Sequence, residues 1–332
     1  MDTMHLVKIF LIVTVMVTIG APMSAEAQSV DSWSAPRTPD GQPDIQGIWT
    51  NVTSTPLERP QELEDKAFFS EEEVTELERN ASDRWEVAIA PGRTEIKRLP
   101  EGRRFAGYNG AIWANSRSIV KSRRTSLVVD PPNGLVPLRP EAAARRDYLI
   151  ANRTDTYENM STYTRCITRG IPGSMLPNTY NIGNHILQTP GYVVIVYEMI
   201  GETRIIPLDD RPHIQSGIDL WMGDSRGHWD GETLVVETTN FTEKGWIAPN
   251  QNAGQVHGVP VSRNLRVVER FTRLSEDVLD WQATIEDPEV YTQPWTIELP
   301  LLRDPAYDLY EYACHEGNYA IANILRGARV RE

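Results

Sequence analysis

One stretch decides the fold of this chain: His228-Trp-Asp-Gly-Glu-Thr-Leu-Val-Val-Glu-Thr-Thr239. Asp230-Gly231 separates two runs of strand-forming residues, and Asp-Gly favours the tight two-residue turn that joins antiparallel strands. A second stretch, Val278–Glu286, alternates apolar with polar residues, which is the pattern of a strand with one buried face. Together the two stretches predict antiparallel β-structure.

Further strand-like runs follow one another at short intervals; they are Tyr192–Ile200, Thr203–Leu208, Leu265–Arg273, Trp295–Leu299 and Tyr307–His315. Short turns between successive strands favour meander pairing, in which each strand pairs with the next along the chain. We therefore expect a mainly β fold in which an antiparallel meander closes into a barrel. A β-sandwich is the alternative.

The part of the chain before residue 180 has helix and turn signals in place of successive strand-like runs. Ser70-Glu-Glu-Glu73 has the form of a capping box, which predicts a helix that runs to about Trp85. Pro140 marks the first turn of a second helix. Ser126–Leu138 has a Pro-Pro-Asn-Gly turn between two short apolar runs, which predicts a strand, a turn and a strand.

The chain begins with the features of a cleavable signal peptide. Lys8 precedes an apolar run that ends at Gly20, and Ala25-Glu26-Ala27 has the small-residue pattern that predicts cleavage after Ala27. The run is shorter than the ~20 apolar residues that a transmembrane helix needs. We therefore expect export to the periplasm or the medium, with no membrane span after cleavage; an uncleaved anchor is the alternative.

No low-complexity linker divides the chain after residues 1–27. We expect residues 28–180 to form an irregular, partly helical portion that packs on an antiparallel β-core of residues 181–332. The two portions together make one structural domain.

Acidic residues outnumber basic ones, with a net charge of −13 for the chain and −12 without residues 1–27. Such a charge excludes a nucleic-acid partner, because nucleic-acid binding needs a basic surface. The sequence has no P-loop, no G-x-G-x-x-G after a strand, no H-E-x-x-H, no C-x-x-C and no G-x-S-x-G. We therefore predict no cofactor and no metal, and leave open a metal site assembled from distant histidines. The oligomeric state is also left open.

The chain has two cysteines, Cys166 and Cys314. An exported protein keeps its disulfides, so we expect these two to form one bridge. The alternatives are two buried thiols, a reactive cysteine, or a pair of metal ligands.

Two histidines are candidates for acid–base catalysis. His213 follows Arg211-Pro212 after two aspartates that can fix its tautomer, and His315 follows Cys314, so a disulfide would hold it rigidly. The alternative is a solvated turn for His213 and a loop histidine that satisfies backbone groups for His315.

Two glutamates are further candidates for the catalytic site. Glu198 and Glu269 each lie within an apolar strand, where burial raises the pKa of a carboxyl group unless a positive charge pairs with it. The alternative for each residue is a structural ion pair with an arginine.

A third set of residues consists of candidate substrate-binding groups. The arginines would orient an anionic group, the Asn-His pair closes a dense polar run that suits a hydroxylated ligand, and the aromatic residues offer amphipathic surface. They are Arg165, Asn184, His185, Arg211, Trp221 and Tyr312.

Gly47-Ile48-Trp49 after a Pro-Asp turn resembles the G-x-W opening of lipocalins, which implies a lipocalin-like, calycin-type β-barrel. Four longer phrases resemble a family of exported, mostly uncharacterised bacterial proteins; they are Thr38–Trp49, Arg124–Gly134, Gly223–Val236 and Tyr310–Tyr319. The resemblance implies export and a shared fold, and it implies no particular reaction.

Two functions fit a barrel with a pocket. The first is a cofactor-independent lyase, isomerase or hydrolase that acts on a small organic molecule, with His213 and His315 as acid and base and Glu198 or Glu269 assisting. The second is a non-catalytic, lipocalin-like protein that binds a small aromatic or apolar ligand. The polar character of the candidate residues favours the enzyme.

Overall fold

The computed structural model describes residues 33–53, 55–77, 79, 122–178, 180–249 and 254–330. The signal peptide predicted over residues 1–27 lies outside this part of the chain, and so do residues 80–85 of the first predicted helix. Ser34–Glu332 group into one unit. No helix in the described ranges is long and apolar enough to cross a membrane.

Ten strands and three α-helices form in the described part of the chain. The strands are β1 (Gly47–Thr50), β2 (Val128–Asp130), β3 (Gly183–Thr189), β4 (Tyr192–Tyr197), β5 (Glu202–Pro207), β6 (Asp224–Asp230), β7 (Thr233–Thr239), β8 (Arg266–Arg273), β9 (Val278–Glu286) and β10 (Trp295–Arg303). The helices are α1 (71–77), α2 (Pro140–Ala151) and α3 (Ala320–Arg329).

All ten strands belong to one antiparallel sheet with the order β5-β4-β3-β1-β10-β9-β8-β7-β6, and β2 pairs with β10 beside that path. The strands β5 and β6, which are consecutive in the sequence, stand at the two ends of this order. Their side chains meet: Arg204 Nε donates to Ser225 Oγ at 2.9 Å. A Cβ atom on Gly227 would lie 2.9 Å from Ile206, so the glycine permits the close approach of the two strands.

The sheet is therefore a nearly closed barrel, and the prediction of a mainly β, lipocalin-like fold is confirmed. The sandwich alternative does not form. The hairpin that decided the fold is β6–β7, with Asp230 opposite Thr233 and Gly231 in the left-handed region at φ 59°.

The interior of the barrel is filled with side chains. Trp49, Trp281 and Phe271 point inward from β1, β9 and β8 and are fully buried. Inward-facing residues of β9 and β10 alternate with outward-facing ones along both strands.

The two helices predicted before residue 180 are present, whereas one of the strands predicted there is not. The capping box at α1 is present, because the Ser70 N–H donates to Glu73 Oε2 at 2.8 Å and the Glu73 N–H donates to Ser70 Oγ at 3.2 Å. The helix predicted at Pro140 forms as α2. The second strand predicted within Ser126–Leu138 is wrong, because that run forms only an isolated bridge between Leu138 and Tyr291.

The strand predicted over Tyr307–His315 is also wrong. This segment has no strand partner among the described residues and runs as irregular chain from β10 towards α3. Side chains hold it in place, and its position creates the cavity described next.

Candidate functional site

A cavity of about 1170 Å³ lies where β3 begins and β4 ends, under the segment that follows β10. Four separate parts of the chain contribute side chains to its wall: residues 163, 164 and 166, residues 180–181, Glu198, and eleven residues between 306 and 320. Five tyrosines contribute to this wall; they are Tyr163, Tyr180, Tyr307, Tyr310 and Tyr312. The site is therefore an aromatic and polar recess outside the barrel interior.

Glu198 anchors the segment that covers the cavity. Its carboxylate, which is 3 % exposed, accepts hydrogen bonds from Asn181 Nδ2 and from the Gly183 N–H, both at 3.0 Å. From the covering segment it accepts the Tyr307 hydroxyl and the Tyr310 N–H, the latter at 3.0 Å. Four donors satisfy the oxygens of this carboxylate, so Glu198 holds the cavity wall in position.

Gly183 lets the covering segment approach β3 closely. A Cβ atom at this position would lie 2.6 Å from Leu309 Cδ2 and 2.8 Å from the Tyr307 ring. Any larger residue would force the Leu309 and Tyr307 side chains to shift, since contacts this short do not occur between real atoms. The absence of a side chain at Gly183 thus leaves the space that the Leu309 and Tyr307 side chains occupy.

Three tyrosine hydroxyls meet in the cavity wall. The Tyr163 hydroxyl lies 2.9 Å from the Tyr180 hydroxyl and 3.3 Å from the Tyr312 hydroxyl, so the three phenols share hydrogen bonds. We call Tyr163, Tyr180 and Tyr312 the tyrosine cluster. It joins residues that are up to 149 positions apart in the sequence.

Burial keeps two members of the tyrosine cluster, Tyr163 and Tyr180, protonated. Burial first, and then its hydrogen bonds to the other two phenols, raise the pKa of Tyr163 far above its usual value. Burial also raises the pKa of Tyr180. Phenols with raised pKa values keep their protons near neutral pH, so they donate hydrogen bonds and do not act as bases.

Arg169 is a buried charge beside the tyrosine cluster. It is 2 % exposed and its Nη2 donates to the Leu176 carbonyl at 3.3 Å. Burial lowers the pKa of Arg169 to about 10, against electrostatic effects of the three tyrosines that raise it. The guanidinium therefore stays charged at neutral pH, and its side chain is not part of the cavity wall.

The predicted cysteine pair closes the cavity wall. The structure pairs Cys166 with Cys314, with Cα atoms 5.6 Å apart and a sequence separation of 148. Both cysteines line the cavity. The bridge thereby fastens the covering segment to residues 163–166, at a second point in addition to Glu198.

Of the residues predicted from the sequence as catalytic, Glu269 lies inside the barrel. Its carboxylate is fully buried, 2.6 Å from Arg204 Nη2, and it accepts the Trp281 indole N–H at 3.1 Å. Arg204 also donates to Thr238 Oγ1 at 2.7 Å. This arrangement corresponds to the ion-pair alternative for Glu269 and lies apart from the cavity wall.

His213 lies against the outer face of β6 and β7. Its Nδ1 is 2.8 Å from Asp224 Oδ2, and its Nε2 is 3.3 Å from Glu237 Oε1. Asp224 lies 3.3 Å from Arg226, and Glu237 accepts a hydrogen bond from Arg266 Nε at 2.8 Å. Both ring nitrogens of His213 therefore have carboxylate partners within an ionic network on the outside of the barrel.

Two further candidates, His315 and Arg211, are exposed. His315 stands between two residues of the cavity wall, Cys314 and Glu316, but its own side chain is not among the lining groups. Arg211 pairs with Asp209 at 2.6 Å in a surface turn. The structure does not bring His213 and His315 to the described cavity, and their pairing as acid and base stays a prediction.

The other substrate-binding candidates divide between the barrel and its surroundings. Asn184 is 2 % exposed and donates to the Trp49 and Ile182 carbonyls, at 3.2 and 3.3 Å. His185 is half-buried on the outer face of β3. The Arg165 guanidinium lies 5.8 Å from the centre of the Trp221 ring, as in a cation–π contact. Of this set, only Tyr312 lines the cavity.

Glu202 was missed by the sequence reasoning. It lies at the start of β5, and its Oε2 accepts the Thr168 hydroxyl at 2.8 Å. Burial raises the pKa of Glu202 to about 7. The sequence signal is a glutamate that follows a glycine and directly precedes the strand-like run Thr203–Leu208.

Among the described residues no group of three or more His, Cys, Asp or Glu side chains is placed to hold a metal ion. No protein-family model matches the chain, no curated protein is significantly similar to it, and no solved structure gives a significant match. The functional argument therefore rests on the geometry of the site.

Proposed function

We propose that this protein binds a small organic molecule in the tyrosine-lined cavity. The observation that carries the proposal is the meeting of the Tyr163, Tyr180 and Tyr312 hydroxyls in the wall of a recess of about 1170 Å³. Ligand sites are typically concave, rich in aromatic surface and equipped with a few polar groups that fix orientation. Here Glu198 and the cysteine pair supply the rigid frame that such a site needs.

A second candidate function is turnover of the bound molecule without a cofactor, by a lyase, isomerase or hydrolase reaction. The raised pKa values of Tyr163 and Tyr180 favour it, because neutral, partly buried phenols can donate hydrogen bonds to negative charge that develops on a substrate. In this version the cluster, rather than His213 and His315, stabilises that negative charge by hydrogen bonds.

We also propose that the protein is exported and works in the periplasm or outside the cell. The pattern of residues 1–27, the resemblance to exported bacterial proteins and the pairing of Cys166 with Cys314 support this. Amino-terminal sequencing of the protein recovered from the periplasm should begin at Gln28. An intact amino terminus in the cytoplasm would contradict it.

The test of binding is thermal unfolding of residues 28–332 against a panel of small aromatic, amine, steroid, sugar-acid and sulfated compounds. A compound that binds the folded state raises the unfolding temperature. The decisive variant is Ala313→Trp, which places a large side chain on the cavity wall, and the matched control is Ala322→Trp, on exposed α3 outside that wall.

We expect the stabilisation by a hit compound to disappear in Ala313→Trp and to persist in Ala322→Trp. Mass spectrometry of each hit after incubation separates the two candidate functions, since a converted compound identifies an enzyme and an unchanged one a binding protein. Stabilisation that survives in Ala313→Trp would place the ligand elsewhere and overturn the proposal.

A further inference from the structure

We infer that the ligand of the tyrosine-lined cavity carries a positive charge, as an amine or quaternary ammonium group attached to an aromatic or apolar body. The inference rests on the proposed function and names the class of its ligand. Two features of the cavity wall carry it: the sign of its charged groups and the number of its aromatic rings.

All charged side chains in the described cavity wall are carboxylates. They are Glu198, Asp308, Glu311 and Glu316, and the described lining residues include no lysine, arginine or histidine. The donors around Glu198 already satisfy its oxygens, so the argument depends on the other three. Among the described residues none of these three forms an ion pair, so their charge is available to a ligand.

The three carboxylates are exposed where the cavity opens to solvent. Asp308, Glu311 and Glu316 are all exposed lining residues, and together they form the mouth of the cavity. Negative groups at a mouth raise the local concentration of cations. An anionic molecule would meet repulsion along the same path.

The aromatic rings favour the same class of ligand. Five tyrosines contribute to the wall, and the negative face of a tyrosine ring attracts ammonium groups. Tyr310 and Tyr312 alternate with Glu311 along the covering segment, which brings rings and carboxylate to one recess. Quaternary ammonium groups are bound by aromatic surroundings of this kind.

Arg169 is a positive group that interacts electrostatically with the tyrosine cluster, and it works against a cation. Its guanidinium is buried, donates to the Leu176 carbonyl and is not part of the cavity wall. The phenols of the cluster and the unpaired carboxylates both line the cavity, whereas the Arg169 side chain does not. The charge that a ligand contacts is therefore negative.

Three probes of nearly equal size and different charge test the inference: phenethylammonium, 2-phenylethanol and phenylacetate. Their dissociation constants are measured by calorimetric titration of residues 28–332 at pH 7.5 and low salt. We expect phenethylammonium to bind at least about tenfold more tightly than 2-phenylethanol, and phenylacetate to bind most weakly.

Two double variants locate the source of the preference. Glu311→Gln with Glu316→Gln removes charge from the cavity mouth, and Glu62→Gln with Glu276→Gln removes the same charge from exposed sites elsewhere. We expect the first to reduce the cation preference about three- to tenfold and the second to leave it unchanged. Tyr310→Leu should weaken phenethylammonium more than 2-phenylethanol, with Tyr148→Leu on exposed α2 as its control.

The outcomes separate this inference from the proposed function. Equal binding of all three probes, or tighter binding of phenylacetate, with loss of binding in Ala313→Trp, overturns the cationic ligand and leaves the binding site standing. If none of the three probes binds, and no compound of the wider panel gives stabilisation sensitive to Ala313→Trp, both the inference and the proposed function fail.

Discussion

The Glu198 carboxylate accepts a hydrogen bond from the Tyr310 N–H at 3.0 Å, across 112 positions of sequence. This contact joins the end of β4 to the segment after β10, and it converts an irregular stretch of chain into one wall of a cavity. The same carboxylate accepts the Gly183 N–H from β3. One buried acidic side chain thus couples the stability of the barrel end to the shape of the candidate site.

Replacing Glu198 should therefore loosen the covering segment before it unfolds the barrel. We expect Glu198→Ala to lower the free energy of unfolding by about 3 kcal/mol, because it leaves buried donors without an acceptor. The milder change Tyr307→Phe, which removes one of the four donors, should cost about 1 kcal/mol. Urea unfolding measures both values, with the exposed Glu62→Ala as the control.

Hydrogen exchange of the Glu198 variant provides the second readout. Amide exchange should increase in residues 306–312 and stay slow in β8 and β9. Equal acceleration throughout the barrel would show that Glu198 supports the whole fold and not the covering segment in particular.

The bridge between Cys166 and Cys314 should stabilise the folded state strongly, because it closes a loop between two residues with a sequence separation of 148. Loss of chain entropy in the unfolded state over such a loop corresponds to about 5 kcal/mol. We expect Cys166→Ser with Cys314→Ser to lower the free energy of unfolding by up to this amount. Dithiothreitol should destabilise the wild type and have no effect on the double variant. Destabilisation of both proteins by dithiothreitol would show that the reagent does not act through the bridge.

Glu202 should give the protein a pH-dependent stability. Burial raises its pKa in the folded state to about 7 from an ordinary value of 4.5. The folded state therefore keeps a proton that the unfolded state releases, and the stability that Glu202 contributes is full below pH 4.5 and is lost as the pH rises through 7. As the pH rises over this interval, the free energy of unfolding of Glu202→Gln should increase relative to that of the wild type.

The measurement is urea unfolding of both proteins at pH 4.5, 5.5, 6.5 and 7.5. The matched control is Asp280→Asn, because burial first, and then the neighbouring Glu298 charge, raise the pKa of Asp280 to about 6. The difference in free energy of unfolding between Asp280→Asn and the wild type should level off at a lower pH than the difference between Glu202→Gln and the wild type. A Glu202→Gln difference that does not change with pH would contradict the assignment.

Glu269 should behave as a structural residue. Removing one partner of a buried ion pair leaves the other charge uncompensated, so we expect Glu269→Leu to lower the free energy of unfolding by about 3–5 kcal/mol. The double variant Arg204→Met with Glu269→Leu should be more stable than the single one. The double variant should bind the probes in the cavity as the wild type does. A loss of binding in a folded double variant would contradict the structural role and indicate that Glu269 acts in the functional site.

Much of the barrel could be predicted from local patterns. The alternation of Val278–Glu286 and the Asp-Gly turn at Asp230-Gly231 each determine structure within a few residues, so β9 and the β6–β7 hairpin form where the sequence predicts them. The pairing of β1 with both β3 and β10 was outside such reasoning, because it joins residues far apart in the sequence.

The cavity could not be predicted for the same reason. Tyr307–His315 has the alternation of a strand, yet its hydrogen-bonding partner is the Glu198 side chain and not a neighbouring strand. The tyrosine cluster joins Tyr163 to Tyr312, and aromatic residues at such separation are indistinguishable from core residues in the sequence. Helix α3 did have a signal: Ile321, Leu325 and Ala328 recur at helical spacing, and all three are partly buried.

The central claim is that the functional site is the tyrosine-lined cavity, and ligand-dependent protection from hydrogen exchange tests it most directly. The wild-type protein is compared with and without saturating amounts of the compound that raises its unfolding temperature most. The account predicts slower exchange in residues 163–166, 180–181 and 306–320, and no change in β6 and β7 around His213. Protection centred on β6 and β7, with none in the covering segment, would contradict it.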